Sequence, residues 1–452
     1  MNRADKQAEL LSAESFNREL GEFIDASPTP FHAVANIASQ LREAGFCALN
    51  EAHEWTLERG GKYFVTRNGS SIIAFIVGSD DLSKTGMRLA GAHTDSPCLM
   101  VKPQPEMLNS GYFQLGVEVY GGALLNPWFD RDLSLAGRLV FTDVSGQLKQ
   151  KLVNFAEAIA VIPSLAIHLD REANKDRSIN AQTDIPPILM QTEGQADFRE
   201  LLADRFLAEG EQVMDYELCF YDVQRAASVG LEKEFFASAR LDNLLSCFVA
   251  TQAIIAADTR CTSVLVCNDH EEVGSVSAVG ADGPFLESVV ERLCATDDRV
   301  SQTRILDSSL LISCDNAHAL HPNFVSKHDK GHSPVLNGGP VIKVNSSQRY
   351  ATNSITASLF RQLCGEVTVP VQSFVTRTDL GCGSTIGPVT AAKLGIPTLD
   401  VGIPQLAMHS CRELTGALDP QRMSKVLRQF FNRPGRLVVA LAEDSDSTAG
   451  VE

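Results

Sequence analysis

Two adjacent carboxylates, Glu271 and Glu272, are the side chains whose spacing most directly indicates chemistry. They follow the β-branched run 262–266, which is typical of a buried strand, and they precede Gly274. Carboxylates this close raise at least one pKa unless a cation lies beside them, and a bound metal is the usual cation. The pattern indicates one metal ligand and one general base acting on a metal-activated water molecule. An exposed acidic loop is the alternative interpretation.

Four further residues share this kind of position, at the end of a predicted strand or the start of a predicted helix: His93, Asp242, Asp315 and His409. In open α/β sheets, ligands bind outside the carboxyl ends of the strands, so these side chains could converge on one crevice with the glutamate pair. Two histidines and three carboxylates would hold two divalent ions, with one carboxylate bridging them.

Each of these positions also has an ordinary interpretation. His93 and Asp95 point to the same face if they lie in a strand, but past its end Asp95 could orient a metal-binding imidazole. Asp242 alone is equally consistent with a helix N-cap. His409 is predicted at a junction between a loop and a helix, because residues 410–413 have capping-box spacing.

The elements that must position these residues follow an α/β pattern. Helical periodicity covers 10–45, paired strands with an Asn-Gly turn cover 62–78, and helices alternate with strands again from 235 onwards. At 452 residues the chain is long enough for two domains. We therefore predict a discontinuous catalytic domain from residues 1–100 and 235–452.

The block between these two parts, residues 101–234, is β-rich and predicts an inserted second domain. Within it, 158–163 and 165–169 are predicted as further short strands, and the polar stretch 171–195 as either a long loop or a partly mobile segment. Residues 198–207 have a helical pattern.

Composition limits the compartment and the partners. The net charge of −17 argues against nucleic acid or an anionic membrane as a partner. No apolar run approaches the roughly 20 residues that span a membrane. Eleven scattered cysteines and a polar start without a signal peptide predict reduced thiols and a cytoplasmic location.

Together, six motifs resemble the aspartyl aminopeptidases, which are dizinc exopeptidases that form large tetrahedral dodecamers. The resemblance extends from the helices after residue 10 to about residue 435. The motifs are Gly91-Ala-His-Thr-Asp-Ser-Pro97, Ala239-Arg-Leu-Asp-Asn243, Asp269-His-Glu-Glu-Val-Gly-Ser275, Asp315-Asn-Ala-His-Ala-Leu-His-Pro-Asn323, Gly339-Pro-Val-Ile-Lys-Val-Asn345 and Gln405-Leu-Ala-Met-His-Ser410.

The resemblance implies a mixed-sheet dizinc exopeptidase domain with helices on both faces. It implies one zinc ion held by His93, Asp242 and Asp315, and a second held by Asp242, Glu272 and His409. Asp242 would bridge the two ions, and the peptide bond after it would be cis. Manganese or cobalt could substitute for zinc.

The resemblance also implies roles for five other residues. Glu271 would be the general base and then the acid that protonates the leaving amine, and Asp95 would orient His93. Lys343 would select an N-terminal Asp or Glu, because an ammonium is a compact partner for a carboxylate. Asp379 is a candidate near the substrate amine. His168 would shape the pocket, either within its own chain or across a subunit boundary, and a core or interface histidine is at least as good an interpretation.

These expectations describe an aminopeptidase that removes acidic N-terminal residues from short peptides and assembles as a homo-oligomer, a dodecamer by resemblance. Two other readings stay open at this point. A deacylase or carboxypeptidase on the same dimetal scaffold would recognise a free carboxylate instead of a free amine. A non-catalytic assembly protein would be expected to have lost a ligand or the base, whereas all six positions are present here.

Overall fold

The computed structural model describes residues 3–194, 196–294 and 298–437, so the predicted polar tail at 444–452 lies outside the described residues. No helix in these ranges combines the length and apolar character needed to cross a bilayer. The α-helices are α1 (Arg3–Asp25), α2 (Pro30–Glu43), α3 (Leu82–Thr85), α4 (Phe198–Phe206), α5 (Leu241–Ile255), α6 (Phe285–Leu293), α7 (Arg299–Asp307), α8 (Ser354–Glu366), α9 (Ile386–Leu394) and α10 (Asp419–Asn432).

The strands form three sheets. In chain order they are β1 (Cys47–Ala48), β2 (Lys62–Arg67), β3 (Ser71–Ile76), β4 (Met87–His93), β5 (Cys98–Asn109), β6 (Tyr112–Tyr120), β7 (Leu133–Thr142), β8 (Leu148–Asn154), β9 (Ile188–Gln191), β10 (Gln212–Asp222), β11 (Ala227–Val229), β12 (Phe235–Ser238), β13 (Thr262–Asn268), β14 (Leu310–Cys314), β15 (Ala317–His318), β16 (Val341–Lys343), β17 (Gln372–Phe374), β18 (Thr398–Gly402), β19 (Pro404–Leu406) and β20 (Glu413–Gly416).

The largest sheet has nine strands in the order β1-β2-β3-β13-β4-β14-β18-β16-β17. Its centre, β13-β4-β14-β18, is parallel, whereas β3 and β16 pair antiparallel with their central neighbours. The sheet is therefore mixed, and the predicted α/β class is confirmed. The predicted hairpin at Asn68 and Gly69 joins β2 to β3, with φ of 55° and 67° at these residues.

Both faces of this sheet are buried, which explains the continuous apolar runs of its central strands. Alternate residues of β13 enter different cores: Leu265 and Cys267 pack beneath α1, α2, α5, α8 and α10, whereas Val264 and Val266 pack with α6 on the opposite face. Helices thus pack against the central strands from both sides, and this packing restrains the ends of the strands as well.

The second sheet has six strands in the order β8-β7-β10-β5-β6-β9 and its own apolar core, which includes Leu135, Leu218 and Phe220. All of its strands lie between residues 98 and 222. Strand β11 lies within the predicted inserted block, but it pairs with β12 in the third sheet. The division into two domains at 101–234 stays a prediction.

Two short strands expected in this block do not form. Within 158–163 only isolated bridges occur, at Ala160 and Val161. Residues 165–169 form no strand, and Leu165 and Leu169 are 58% and 75% exposed. An apolar composition predicted a strand there, but strands need a paired neighbour, which this segment lacks in the described structure.

The third sheet has five strands in the order β11-β12-β20-β19-β15. Its middle strand, β20, runs antiparallel to both β12 and β19. The first residue of β20 therefore lies beside the carboxyl ends of both neighbours.

Candidate active site

Three central strands of the nine-stranded sheet deliver acidic and imidazole side chains to one edge. Strand β4 ends at His93, β13 ends three residues before Glu271, and β14 ends one residue before Asp315. The strands are adjacent and parallel, and Asn268 pairs with His93 in the ladder. Their carboxyl ends consequently meet at the same edge, as the sequence analysis expected.

Asp242 and His409 reach this edge from the five-stranded sheet. Asp242 follows β12 at the start of α5, where it has non-helical dihedrals and a cis peptide bond to Asn243, as the resemblance implies. It is not the N-cap, which is Arg240. His409 lies in a turn between β19 and β20, so the predicted helix start after it is wrong: residue 413 begins a strand.

These side chains form two groups that share Asp242. His93 Nε2 lies 3.5 Å from Asp242 Oδ1 and 3.8 Å from Asp315 Oδ1. His409 Nε2 lies 3.5 Å from Asp242 Oδ2 and 3.4 Å from Glu272 Oε2. Within each group the ligand atoms lie within 4.8 Å of one another.

A third group with the same spacing joins His93 to Glu271 and Glu272. Its Glu271 Oε2 lies 4.0 Å from His93 Nε2, farther than Asp242 Oδ1 and Asp315 Oδ1. The two groups that share Asp242 therefore have the shorter contacts around the histidines.

Main-chain carbonyls set the tautomers of both histidines. His93 Nδ1 lies 3.1 Å from the Asp95 carbonyl oxygen, and His409 Nδ1 lies 3.1 Å from the Gly122 carbonyl oxygen. A carbonyl only accepts, so each Nδ1 carries the proton and donates it. Each Nε2 therefore faces the carboxylates, which is the orientation of a histidine that can bind a metal through this atom.

The cluster holds more negative charge than its histidines can balance. Burial raises the pKa of Glu271 to about 8, although the charge of His93 lowers it. Burial and the charge of Asp242 raise the pKa of Glu272 to about 9. Burial lowers the pKa of His409, but Asp242 and Glu272 outweigh it and raise that pKa to about 9. Buried Asp242 Oδ1 and Glu272 Oε1 accept no hydrogen bond from described residues, so the donor set fits divalent cations.

Asp95 does more than the predicted orientation of His93. Its Oδ1 lies 3.3 Å from His93 Nδ1 and accepts the N–H of Glu271 at 3.2 Å. Its Oδ2 accepts the N–H of Glu272 at 3.1 Å and the hydroxyl of Tyr120 at 2.7 Å. One buried carboxylate thus fixes both a histidine and the turn that carries the glutamate pair.

Three residues near the histidine groups are not predicted from the sequence: Tyr120, Gly122 and Glu413. Tyr120 ends β6 of the six-stranded sheet, and Gly122 follows two residues later, so that sheet supplies contacts to both histidine groups. Glu413 is 2% exposed, and burial together with the charge of Asp242 raises its pKa to about 8. The signal at Glu413 in the sequence is its spacing from Ser410, and that spacing predicts a helix cap instead.

A cavity of about 530 Å³ opens beside the cluster and is lined by Glu271, Asp315 and Lys343, among others. Lys343 is 2% exposed. Its Nζ lies 3.2 Å from Asp315 Oδ2, donates to the Asn316 carbonyl oxygen at 3.1 Å and lies 5.1 Å from the ring centroid of Tyr350. The glycine-containing segment 383–385 also lines the cavity.

Two predicted substrate-binding residues do not join this cavity within one chain. His168 lies in an exposed turn of the segment that failed to form a strand. Asp379 is exposed, its carboxylate pairs with Arg377 at 2.6 Å, and it does not line the cavity.

Comparisons with known proteins agree with this geometry. The profile of the aminopeptidase I zinc metalloprotease family (M18) matches residues 23–431. A probable M18 family aminopeptidase 2 of Azotobacter vinelandii is 57% identical over 424 residues, which are 92% of this chain and 98% of that protein. The chain belongs to the M18 family of zinc aminopeptidases. A further M18 relative, from Pseudomonas aeruginosa, is 57% identical over 421 residues, covering 92% of this chain and 97% of that one.

Solved structures share the fold of this M18 aminopeptidase. The cryo-EM structure of the Ape4 and Nbr1 complex has a TM-score of 0.89 at 40% identity and covers 93% of this chain and 86% of that one. The S. cerevisiae mApe1 dodecamer has a TM-score of 0.81 at 30% identity, covering 92% and 96%. Family membership favours an aminopeptidase over the deacylase, carboxypeptidase and non-catalytic alternatives.

Removal of zinc should abolish activity and lower the thermal stability of this M18 aminopeptidase. Zinc binds only the folded cluster, so each ion present at 100 times its Kd contributes about 2.7 kcal/mol to the free energy of unfolding. The measurement is activity and Tm after treatment with a chelator, with zinc content checked by elemental analysis. Zinc should restore both, and magnesium should not, because imidazole ligands favour zinc. Full activity in a zinc-free sample would contradict this.

Proposed function

We propose that this M18 aminopeptidase removes N-terminal Asp or Glu residues from short peptides, using two zinc ions and Glu271 as the general base. The observation that carries the proposal is a pair of histidine–carboxylate groups sharing Asp242. They open onto a cavity whose wall contains the buried Lys343. Chemistry at the metal pair and recognition of an acidic side chain would then occur in one space.

The proposed zinc ligands are His93, Asp242 and Asp315 for one ion, and Asp242, Glu272 and His409 for the other. When bound, zinc polarises the scissile carbonyl and lowers the pKa of a water molecule. The tautomers described above leave both Nε2 atoms free to bind, and Asp242 presents one carboxylate oxygen to each group.

Glu271 would take the proton from the attacking water and return it to the leaving nitrogen. It lines the cavity, and its backbone N–H is anchored by Asp95 Oδ1, so its position relative to the metal groups is fixed. It is also the member of the glutamate pair that lies outside both groups sharing Asp242. A base in this place serves both proton transfers without moving far.

The adjacent glutamates provide a matched test of these roles. Glu271→Gln should keep both zinc ions but lower kcat by about 10²- to 10⁴-fold, because a proton acceptor is lost. Glu272→Gln should instead lose zinc from one site, since a ligand is lost. Zinc content and kcat measured on both variants separate the two outcomes. Normal turnover by Glu271→Gln would contradict the assignment of Glu271 as the general base.

Lys343 is the proposed specificity residue. Its ammonium is buried and already engaged with Asp315 and the Asn316 carbonyl, so it is held in a defined place in the cavity wall. A substrate carboxylate that reaches it would gain a charge-assisted hydrogen bond in a site shielded from water. A neutral side chain would gain nothing there, which gives a preference for acidic residues.

Steady-state cleavage of dipeptides that begin with Asp, Glu, Leu or Lys tests this preference. The wild-type enzyme should cleave the dipeptides that begin with Asp or Glu. Lys343→Met should lower kcat/KM for these two substrates by about 10- to 100-fold relative to kcat/KM for the Leu dipeptide, because a charged hydrogen bond is lost. Zinc is kept saturating, since Lys343 also contacts the metal-binding Asp315.

Lys393→Met is the matched control, because its ammonium binds the Asp282 carbonyl oxygen outside the cavity. It should leave the preference unchanged. If the wild-type enzyme cleaves the Leu dipeptide fastest, the proposed acidic specificity is wrong, whereas the proposed metal site is not contradicted. Cleavage of N-acetylated peptides in place of free ones would favour a deacylase.

We also propose a dodecameric assembly in a reducing, cytoplasmic compartment. The mApe1 neighbour is a dodecamer. All eleven cysteines are free thiols, which suits a reducing compartment. His168, exposed in a single chain, could reach a cavity only across a boundary between copies.

Light scattering tests the assembly. The expected mass is close to twelve times the 49.0 kDa of one chain. His168→Ala should then alter KM only if the turn faces a neighbouring copy. A monomeric mass for an active enzyme would contradict the dodecamer and the placement of His168 together.

A further inference from the structure

We propose that Glu413 is a positioning residue that fixes the backbones of Asp242 and His409, and thereby sets the geometry of the zinc site they share with Glu272. The inference rests on the two-zinc function proposed above. Glu413 is a partner of neither histidine ring, and it lies in neither metal group. Its contacts are to the main chain of two proposed ligands.

The third sheet explains why one side chain reaches both ligands. Strand β20 lies between β12 and β19 and is antiparallel to each, and Ser238 pairs with Glu413 in the ladder. Asp242 follows the carboxyl end of β12, and His409 follows the carboxyl end of β19. The first residue of the middle strand is therefore the one placed between the two segments that carry these ligands.

The hydrogen bonds use both oxygens of the carboxylate. The Asp242 N–H donates to Glu413 Oε2 at 3.0 Å, and the His409 N–H donates to Glu413 Oε1 at 2.6 Å. The side chain is 2% exposed, so water does not compete for these donors. Buried backbone N–H groups need a partner, and a carboxylate is a stronger acceptor than a neutral oxygen.

Each ligand segment is also held from its other side, which makes Glu413 the shared anchor. The Ser96 hydroxyl donates to the Asp242 carbonyl oxygen at 2.7 Å, and the Leu124 N–H donates to the His409 carbonyl oxygen at 3.0 Å. His409 has a φ of 68°, a left-handed conformation that costs energy in a residue other than glycine. A shift of a few tenths of an ångström at either backbone would move the ligand atoms outside the tolerance of a metal site, about 0.2 Å.

The test compares zinc affinity in Glu413→Gln with that of the wild type. The amide offers one oxygen, so one of the two N–H groups loses its acceptor. We expect zinc affinity to fall by about 10- to 100-fold, the usual effect of removing an outer partner of a metal site. The measurement is chelator competition on the full-length protein with zinc as the probe, and it does not depend on activity. Excess zinc should recover turnover.

Asp419 supplies a matched control elsewhere in the fold. Its fully buried carboxylate also accepts two backbone N–H groups, from Asn337 at 2.6 Å and from Gly339 at 2.9 Å. None of these three residues lines the cavity or belongs to a metal group. Asp419→Asn should therefore lower Tm as Glu413→Gln does, but leave zinc affinity at the wild-type value.

Unchanged zinc affinity in Glu413→Gln would overturn the proposal. If that variant does not fold, Glu413→Asp replaces it, because the shorter side chain keeps the charge but cannot span both donors. Failure of both to fold while Asp419→Asn folds would also overturn it, since Glu413 would then serve the fold itself. If the wild-type protein binds only one zinc ion, the proposed two-zinc function is contradicted. The role of Glu413 is still decided in that case by comparing the zinc affinity of Glu413→Gln with that of the wild type.

Discussion

Electrostatic repulsion among carboxylates removed from water is the constraint on which the rest of this structure depends. The side chains concerned are Asp95, Asp242, Glu271, Glu272 and Asp315. Such a group is stable only with positive charge at its centre and with hydrogen-bond donors around its rim. Two protonated Nδ1 positions, several main-chain N–H groups and a buried lysine meet part of this demand, and the zinc ions proposed above would meet the remainder.

Main-chain groups perform most of the orientation in the site. Carbonyl oxygens hold the outer nitrogens of both histidines, and main-chain N–H groups point at Asp95 and Glu413. Main-chain atoms near strand ends move little, because helices pack the central sheet from both faces. The catalytic geometry is thus fixed by secondary structure, with few long side chains whose rotamers would have to be frozen.

The fold class and the strand ends could be predicted because buried parallel strands leave continuous β-branched runs, as in 262–266, and because Asn68-Gly69 marks a tight hairpin. The assignment of individual ligands came from resemblance. The anchor at Glu413 could not be predicted, since its partner Asp242 is 171 residues away and its local spacing imitates a capping box. The strand predicted at 165–169 is wrong because these residues are apolar but have no strand to pair with in the described structure.

The contribution of the six-stranded sheet has a consequence for the architecture of the enzyme. The Tyr120 hydroxyl belongs to the last residue of β6, the Gly122 carbonyl follows two residues later, and each stabilises the surroundings of a different histidine. The two sheets therefore form one catalytic unit and are not interchangeable modules. A minimal enzyme built from the nine-stranded and five-stranded sheets alone would leave His409 without the acceptor that sets its tautomer. Engineering of substrate range by exchanging residues 101–234 between homologues must preserve the contacts of Tyr120 and Gly122.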